Sequence, residues 1–142
     1  RGNAAQPAQP KGLKIMLTLD DAKRIAAAAQ AEAVKNGWKV VIAILDEGGH
    51  LMYLERMDGT QKASVRVAEE KGRTAILFKR PTKLFEEAVN GGRVSVLSLP
   101  GAVAVDGGLP LIRDGEFLGA IGVSGVQSHQ DGIIAAAGVA NL

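Results

Sequence analysis

The chain has 142 residues, a formal net charge of +2 and no cysteine. This length indicates one domain, and a small net charge with both signs spread along the chain argues against a nucleic-acid-binding protein. Without cysteine, the chain cannot form disulfides, thiolate metal sites, cysteine nucleophiles or thioether-linked cofactors.

Residues 1–12 consist mainly of small and polar residues and include two prolines, Pro7 and Pro10. This composition predicts a flexible leader ahead of a single domain at residues 13–142. Such a stretch is typical of the region after a removed secretory signal, so we expect a periplasmic or secreted protein; a trimmed cytoplasmic protein is equally compatible. No segment reaches the ~18 apolar residues of a membrane span, and we expect none.

The next segment predicts a helix and a pair of strands. Thr18 and Asp21 have the spacing of a capping box, apolar residues then recur at helical spacing, and Gly37 ends the helix. Residues 40–45 are an unbroken apolar run, which predicts a central strand buried on both faces. Residues 51–57 return as a second strand after a glycine-containing turn.

Two further helices follow. Apolar spacing predicts a long helix from residue 60 or 61 to residue 78, and Pro81 ends it because the residue before a proline resists helical geometry. Thr82 is suited to cap a short helix that extends to Val89.

The last third predicts strands at residues 102–105, 109–113 and 116–124 and a helix at 132–141. Asp114-Gly115 favours a type I′ hairpin turn between the last two strands. The order of elements predicts an α/β (α+β) fold in which a five-stranded antiparallel sheet is flanked by helices in α/β/α layers.

Glycines at positions 119, 122 and 125 invite comparison with phosphate-binding loops. Their G-x-x-G-x-x-G spacing matches neither the dinucleotide fingerprint nor the Walker loop. Glycine inside an apolar strand more often permits the close approach of a helix or another subunit. The segment Gly122 to Val126 resembles a nucleophile elbow but ends in valine where glycine is needed, which argues against a serine hydrolase.

Several short motifs follow one another from residue 17 to the end of the chain. In chain order, they are Leu17-Thr18-Leu19-Asp20-Asp21-Ala22, Asp46 to Leu51, Arg56-Met57-Asp58, Lys71 to Ala75, Arg80-Pro81-Thr82, Gly107 to Pro110, Ile121 to Gly125, and Asp131. None of them is specific alone, but in their order and spacing they resemble the GlcG/HbpS-like family, which is related to the C-terminal domain of PduO. The family's usual Ser-Gly-Gly is replaced here by Ser124-Gly125-Val126.

The resemblance implies a profilin-like fold, a homo-oligomer such as an octamer or tetramer, and haem as a suspected cofactor. It also implies peroxide-dependent haem degradation with iron release, as in some members. Our first hypothesis is therefore an oligomeric haem-binding protein with that activity as its extension. The alternatives are a non-haem accessory protein that binds a small carboxylate in glycolate- or diol-type metabolism, and a structural oligomer without a ligand.

The chain has two histidines, too few and too far apart for a zinc site. His50 follows a Gly-Gly turn at the start of a strand, where it is either a turn residue with a satisfied ring or an axial ligand of haem iron. His129 lies at the start of the last predicted helix and is interpreted as a surface residue, with iron ligation as the less favoured alternative.

Four other residues are candidate ligand contacts. Met57 either packs on the strand or offers a thioether, while Arg56 forms either a surface ion pair or a fork around a carboxylate such as a haem propionate. Lys71 and Thr74 lie three residues apart and share a helix face, so they could present an ammonium and a hydroxyl group to a ligand.

Overall fold

The computed structural model describes residues 15–142, so the leader predicted at residues 1–12 lies outside the described residues. Its elements are, in order, α1 (Leu19–Asn36), β1 (Val41–Asp46), β2 (Leu51–Arg56), α2 (Ser64–Leu77), α3 (Thr82–Asn90), a 3₁₀ helix (Val94–Ser98), β3 (Gly108–Arg113), β4 (Glu116–Ser124) and α4 (Ser128–Val139). None of the described helices is both long and apolar enough to cross a membrane.

The four strands form one antiparallel sheet in the order β2-β1-β4-β3. β1 and β4 are therefore central, and β2 and β3 are the edges. Asp114 and Gly115 join β3 to β4 with φ angles of 51° and 79°, as the predicted type I′ turn requires.

Helices cover both faces of the sheet. Ile42 and Ile44 of β1 belong to a core cluster with buried residues of α1 and α4. Val41, Ala43 and Leu45 belong to a second cluster with α2 on the opposite face. The prediction of α/β/α layers around a doubly buried β1 is confirmed.

The prediction of a fifth strand at residues 102–105 is wrong for the described chain, because this segment has no regular structure. Side chains of neighbouring helices bind the backbone of this segment and of the residue after it, in place of a strand partner. The N–H of Val103 donates to the Thr74 hydroxyl at 3.0 Å, and the N–H of Asp106 donates to Glu86 Oε1 at 2.9 Å. These bonds satisfy backbone groups that a strand would have used in a ladder.

Some helix boundaries agree with the signals in the sequence, and others differ from them. The capping box of Thr18 and Asp21 is present. α2 begins at Ser64 rather than at residue 60 or 61, because the N–H and hydroxyl of Thr60 both donate to the Met57 carbonyl in a turn. The Thr82 hydroxyl accepts the N–H of Gly108 at 2.9 Å and forms no cap on α3. α4 begins at Ser128, ahead of the predicted start at residue 132.

α2 lies directly on the backbone of β4. A Cβ at Gly122 would collide with the carbonyl oxygen of Ala68 and lie 2.6 Å from the N of Gly72. The prediction that glycine in this strand admits a close neighbour is therefore confirmed, and the neighbour is α2.

Candidate functional site

The predicted ligand contacts do not converge on one place in the subunit. His50 precedes β2 and Arg56 ends it, so the rise along a strand separates them by roughly 20 Å. Lys71 and Thr74 lie in α2, which packs on the sheet face opposite to α1 and α4. The candidates therefore occupy three separate places in the subunit: the β1–β2 turn, the end of β2, and α2.

His50 lies on the β1–β2 turn, and its side chain is 81% exposed. Asp46 organises this turn, since its Oδ1 accepts the backbone N–H of Gly48 and of His50, both at 2.9 Å. The Nδ1 of His50 lies 3.3 Å from the same oxygen. The imidazole therefore has a partner in the turn and remains open to solvent on its other side.

Arg56 and Met57 line a shallow hollow of about 340 Å³ together with Gln30, Lys39 and Asp58. Met57 is half-buried and packs against the larger core cluster. The hollow therefore combines two cationic side chains with one carboxylate at the β2 edge of the sheet.

Lys71 is buried, with 1% of its side chain exposed. Its Nζ lies 3.0 Å from Asp131 Oδ2 in α4 and 3.0 Å from the carbonyl oxygen of Val123. The other carboxylate oxygen of Asp131 accepts the N–H of Val126 at 3.1 Å. Burial raises the pKa of Asp131, although Lys71 and the N–H of Val126 favour the charged form.

Thr74 is buried as well. Besides accepting the N–H of Val103, its hydroxyl oxygen lies 2.9 Å from the carbonyl oxygen of Gly101. Lys71 and Thr74 do share a face of α2, but both polar groups are engaged by the protein itself.

An open groove between α3 and α4, here called the α3–α4 groove, has a volume of about 450 Å³. Its apolar surface includes Leu109, Ile133 and Ala136, and its polar groups are Lys83, Asp106 and His129. His129 is exposed in the first turn of α4, and Lys83 is exposed near the start of α3. The groove thus places an imidazole, an ammonium and a carboxyl group around an apolar surface.

Asp106 is only 8% exposed. Its carboxyl group lies against Gly132, where a Cβ would come within 2.6 Å of Oδ1. Burial raises the pKa of Asp106 and the negative charge of Glu86 adds to the rise, whereas the N–H of Gly107 and the positive charge of Lys83 oppose it.

Sequence reasoning assigned no role to Lys83 or Asp106 and placed His129 on the surface. One available signal was that Asp106 directly precedes the motif Gly107 to Pro110, which contributed to the family resemblance. The juxtaposition with α4 needed the three-dimensional fold.

The molecule is a small α+β protein with a four-stranded antiparallel sheet between helical layers. Its partly apolar groove carries ionisable groups and is a candidate ligand-binding site. The chain belongs to the HbpS-like family: residues 17–140 match the sequence profile described as haem degrading protein HbpS-like. The match covers the whole sheet and all four helices.

Individual relatives agree with this assignment. Protein GlcG of Escherichia coli strain K12 is 45% identical over 111 residues, which cover 78% of this chain and 83% of GlcG. A double mutant of Streptomyces reticuli HbpS superposes with a TM-score of 0.83 at 30% identity, over 99% of both chains. A crystal structure described as a PduOC:heme complex superposes with a TM-score of 0.81 at 28% identity, over 90% of this chain and 96% of PduOC.

Proposed function

We propose that this protein binds haem in the α3–α4 groove. Family membership supports haem as the ligand, since the family is described as haem degrading and the related PduOC was crystallised with haem. The observation that carries the location is the combination of His129 and Lys83 with an apolar surface in one groove.

The residues of the groove suit this cofactor. Leu109, Ile133 and Ala136 offer apolar contact for a porphyrin face, and the groove's volume is within the range of small-molecule sites. His129 offers an imidazole, a common axial ligand of haem iron. Lys83 offers an ammonium group for a propionate. When bound, haem would supply the iron chemistry needed for reaction with peroxide.

Lys83 takes the role that the sequence suggested for Lys71, because Lys71 is enclosed by Asp131 and Val123. His50 remains the second candidate for the iron ligand, since its ring is exposed. Arg56 ends β2, the edge strand opposite to β3, and Met57 follows it, so in one subunit they belong to a different surface.

The test is a haemin titration followed by the Soret absorbance, on wild type, His129→Ala, His50→Ala and the double variant. The double variant removes every imidazole of the chain. We expect wild type to bind haemin saturably. His129→Ala should show a displaced Soret band and weaker binding. His50→Ala should behave like wild type, and it is the matched control for the loss of an exposed histidine.

Three results would change this assignment. If the Soret band is altered only in His50→Ala, the iron ligand is His50 in the β1–β2 turn. A band unaltered in the double variant rules out a histidine ligand. If wild type gives no more shift than an unrelated protein, haem binding itself is wrong, and thermal stabilisation by small carboxylates becomes the next measurement.

The same proposal includes homo-oligomerisation and peroxide-dependent haem degradation with iron release. The family description supports degradation. Addition of peroxide to the haemin complex should bleach the Soret band and release iron that a ferrous chelator captures after reduction. Bleaching at the rate of free haemin would contradict a role of the protein in degradation.

A further inference from the structure

The α3–α4 groove contains a carboxyl group that the haem proposal does not use. Asp106 is held in the groove wall by contacts on two sides. Glu86 Oε1 accepts the backbone N–H of Asp106 at 2.9 Å, and Glu86 Oε2 lies 3.4 Å from the Ser128 hydroxyl at the start of α4. Gly132 leaves the space that the carboxyl group occupies.

Asp106 lies among several charged or titratable groups. Lys83 and Glu86 of α3 and Lys71 of α2 act on it electrostatically. His129 lines the same groove, and Asp131 of α4 binds Lys71. Within residues 15–142, Asp106 has no cation within the 4.0 Å of an ion pair.

This environment makes the neutral form of Asp106 easier to populate than in an exposed aspartate. Burial raises the pKa of its carboxyl group, and Lys71, the buried cation nearby, is already paired with Asp131. A neutral carboxyl group donates a hydrogen bond, whereas a carboxylate can only accept one. When it is protonated, Asp106 can therefore contact an anionic group that an ionised aspartate would repel.

We propose that Asp106 and Lys83 form the polar end of the α3–α4 groove and together recognise a carboxylate arm of an otherwise apolar ligand. Lys83 pairs with the arm, and the Asp106 carboxyl group donates a hydrogen bond to it. This inference rests on the proposed haem-binding function and names two residues that would select the ligand through its acidic arm.

The arrangement has a consequence for the pH dependence of binding. A bound carboxylate stabilises the protonated form of Asp106, so affinity is highest at low pH and falls as the pH rises through the pKa of Asp106. An Asp106→Asn variant tests this dependence, because asparagine keeps a donor and cannot ionise.

The test uses metal-free protoporphyrin IX and its dimethyl ester, which lacks the carboxylates; without iron, axial ligation plays no part. Dissociation constants are measured between about pH 5 and about pH 8, above the ordinary aspartate pKa of about 3.9, which is the direction in which burial shifts the pKa of Asp106. Wild type should prefer the free acid by about tenfold or more at the acidic end, in keeping with a charged hydrogen bond. This preference should decline with pH.

Each variant has a distinct expected result. Lys83→Met should lower the preference by about tenfold at the acidic end and abolish what remains of it at higher pH. Asp106→Asn should keep the preference at high pH. Gly132→Ala, whose Cβ would displace the Asp106 carboxyl group, should weaken the preference. Asp114→Asn in the hairpin and Lys62→Met are the exposed controls and should match wild type.

The two proposals fail in different ways. If the ester and the free acid bind equally well to wild type, or if Asp106→Asn follows the wild-type pH profile, the recognition of a carboxylate arm is wrong while porphyrin binding stands. If neither porphyrin nor haemin binds, the proposed function is wrong and this inference falls with it. Circular dichroism confirms that each variant is folded before its result is used.

Discussion

The buried pair of Lys71 and Asp131 joins α2 on one face of the sheet to α4 on the other. Their side chains are 1% and 3% exposed, and the carbonyl oxygen of Val123 is a further partner of the ammonium group. A charge enclosed to this degree is stable only with its counter-charge and hydrogen bonds in place. The pair therefore fixes the position of α4, which forms one wall of the α3–α4 groove.

We predict that Lys71→Met lowers the free energy of unfolding by about 3–5 kcal/mol, because it leaves the Asp131 carboxylate buried without its cation. The double variant Lys71→Met/Asp131→Leu removes both charges and should recover a large part of that loss. Urea unfolding measures both. A double variant no more stable than Lys71→Met would contradict the prediction, because it would show that the unpaired charge of Asp131 is not the source of the loss.

The same two residues show how far sequence reasoning reaches at this scale. Spacing alone places Lys71 and Thr74 on one face of α2, which is correct. Whether that face points to solvent or to the interior depends on Asp131, which is 60 residues away in the chain. Nothing in the local sequence of α2 indicates this distant partner, so the sequence left a ligand role for Lys71 open.

At the scale of elements, the contact between α2 and β4 depends on Gly122. We predict that Gly122→Ala costs about 1–3 kcal/mol of stability or more, since the new methyl group would overlap the backbone of α2. The comparison variant is Gly91→Ala after α3, where a new Cβ would make a tight contact of 3.3 Å with the Glu87 carbonyl oxygen that needs only a small shift. Thermal unfolding of both variants provides the test, and equal melting temperatures would contradict the prediction.

Elements with strong local signals could be predicted from the sequence, including α1 with its capping box and the hairpin at Asp114-Gly115. The conformation of residues 102–105 could not be predicted from the sequence. The alanine and β-branched valine residues of this segment are as compatible with a strand as with the irregular segment observed. Its conformation is decided by Thr74 and Glu86, which bind the backbone from neighbouring helices. Local propensity was overridden by tertiary hydrogen bonds.

At the scale of the whole molecule, several apolar side chains remain exposed on α3 and on the segment after it. They form what is here called the α3 patch: Leu84, Val94, Leu97 and Leu99, with exposures of 50%, 65%, 63% and 40%. The 3₁₀ helix that carries Val94 and Leu97 packs on α3. Leu84 and Leu99 line a hollow of about 150 Å³ between the two elements. Apolar side chains grouped in this way are typical of subunit contacts.

We predict that the proposed homo-oligomer uses the α3 patch, so that Leu97→Lys lowers the molar mass measured by light scattering after size exclusion. Val34→Lys is the matched control, because Val34 on α1 is also 63% exposed and lies outside the patch. If the Val34→Lys variant dissociates while the Leu97→Lys variant remains oligomeric, the subunit contact involves α1 instead. If wild type is monomeric, the proposed oligomerisation is wrong.

The patch and the α3–α4 groove both include residues of α3, Leu84 in the patch and Lys83 in the groove. Packing of a second subunit on the patch would therefore restrain the helix that carries Lys83. If oligomerisation orders the groove in this way, Leu97→Lys should weaken haemin binding along with assembly, whereas Val34→Lys should change neither. Haemin affinity that is unaltered in a dissociated Leu97→Lys variant would show that each subunit binds its ligand alone.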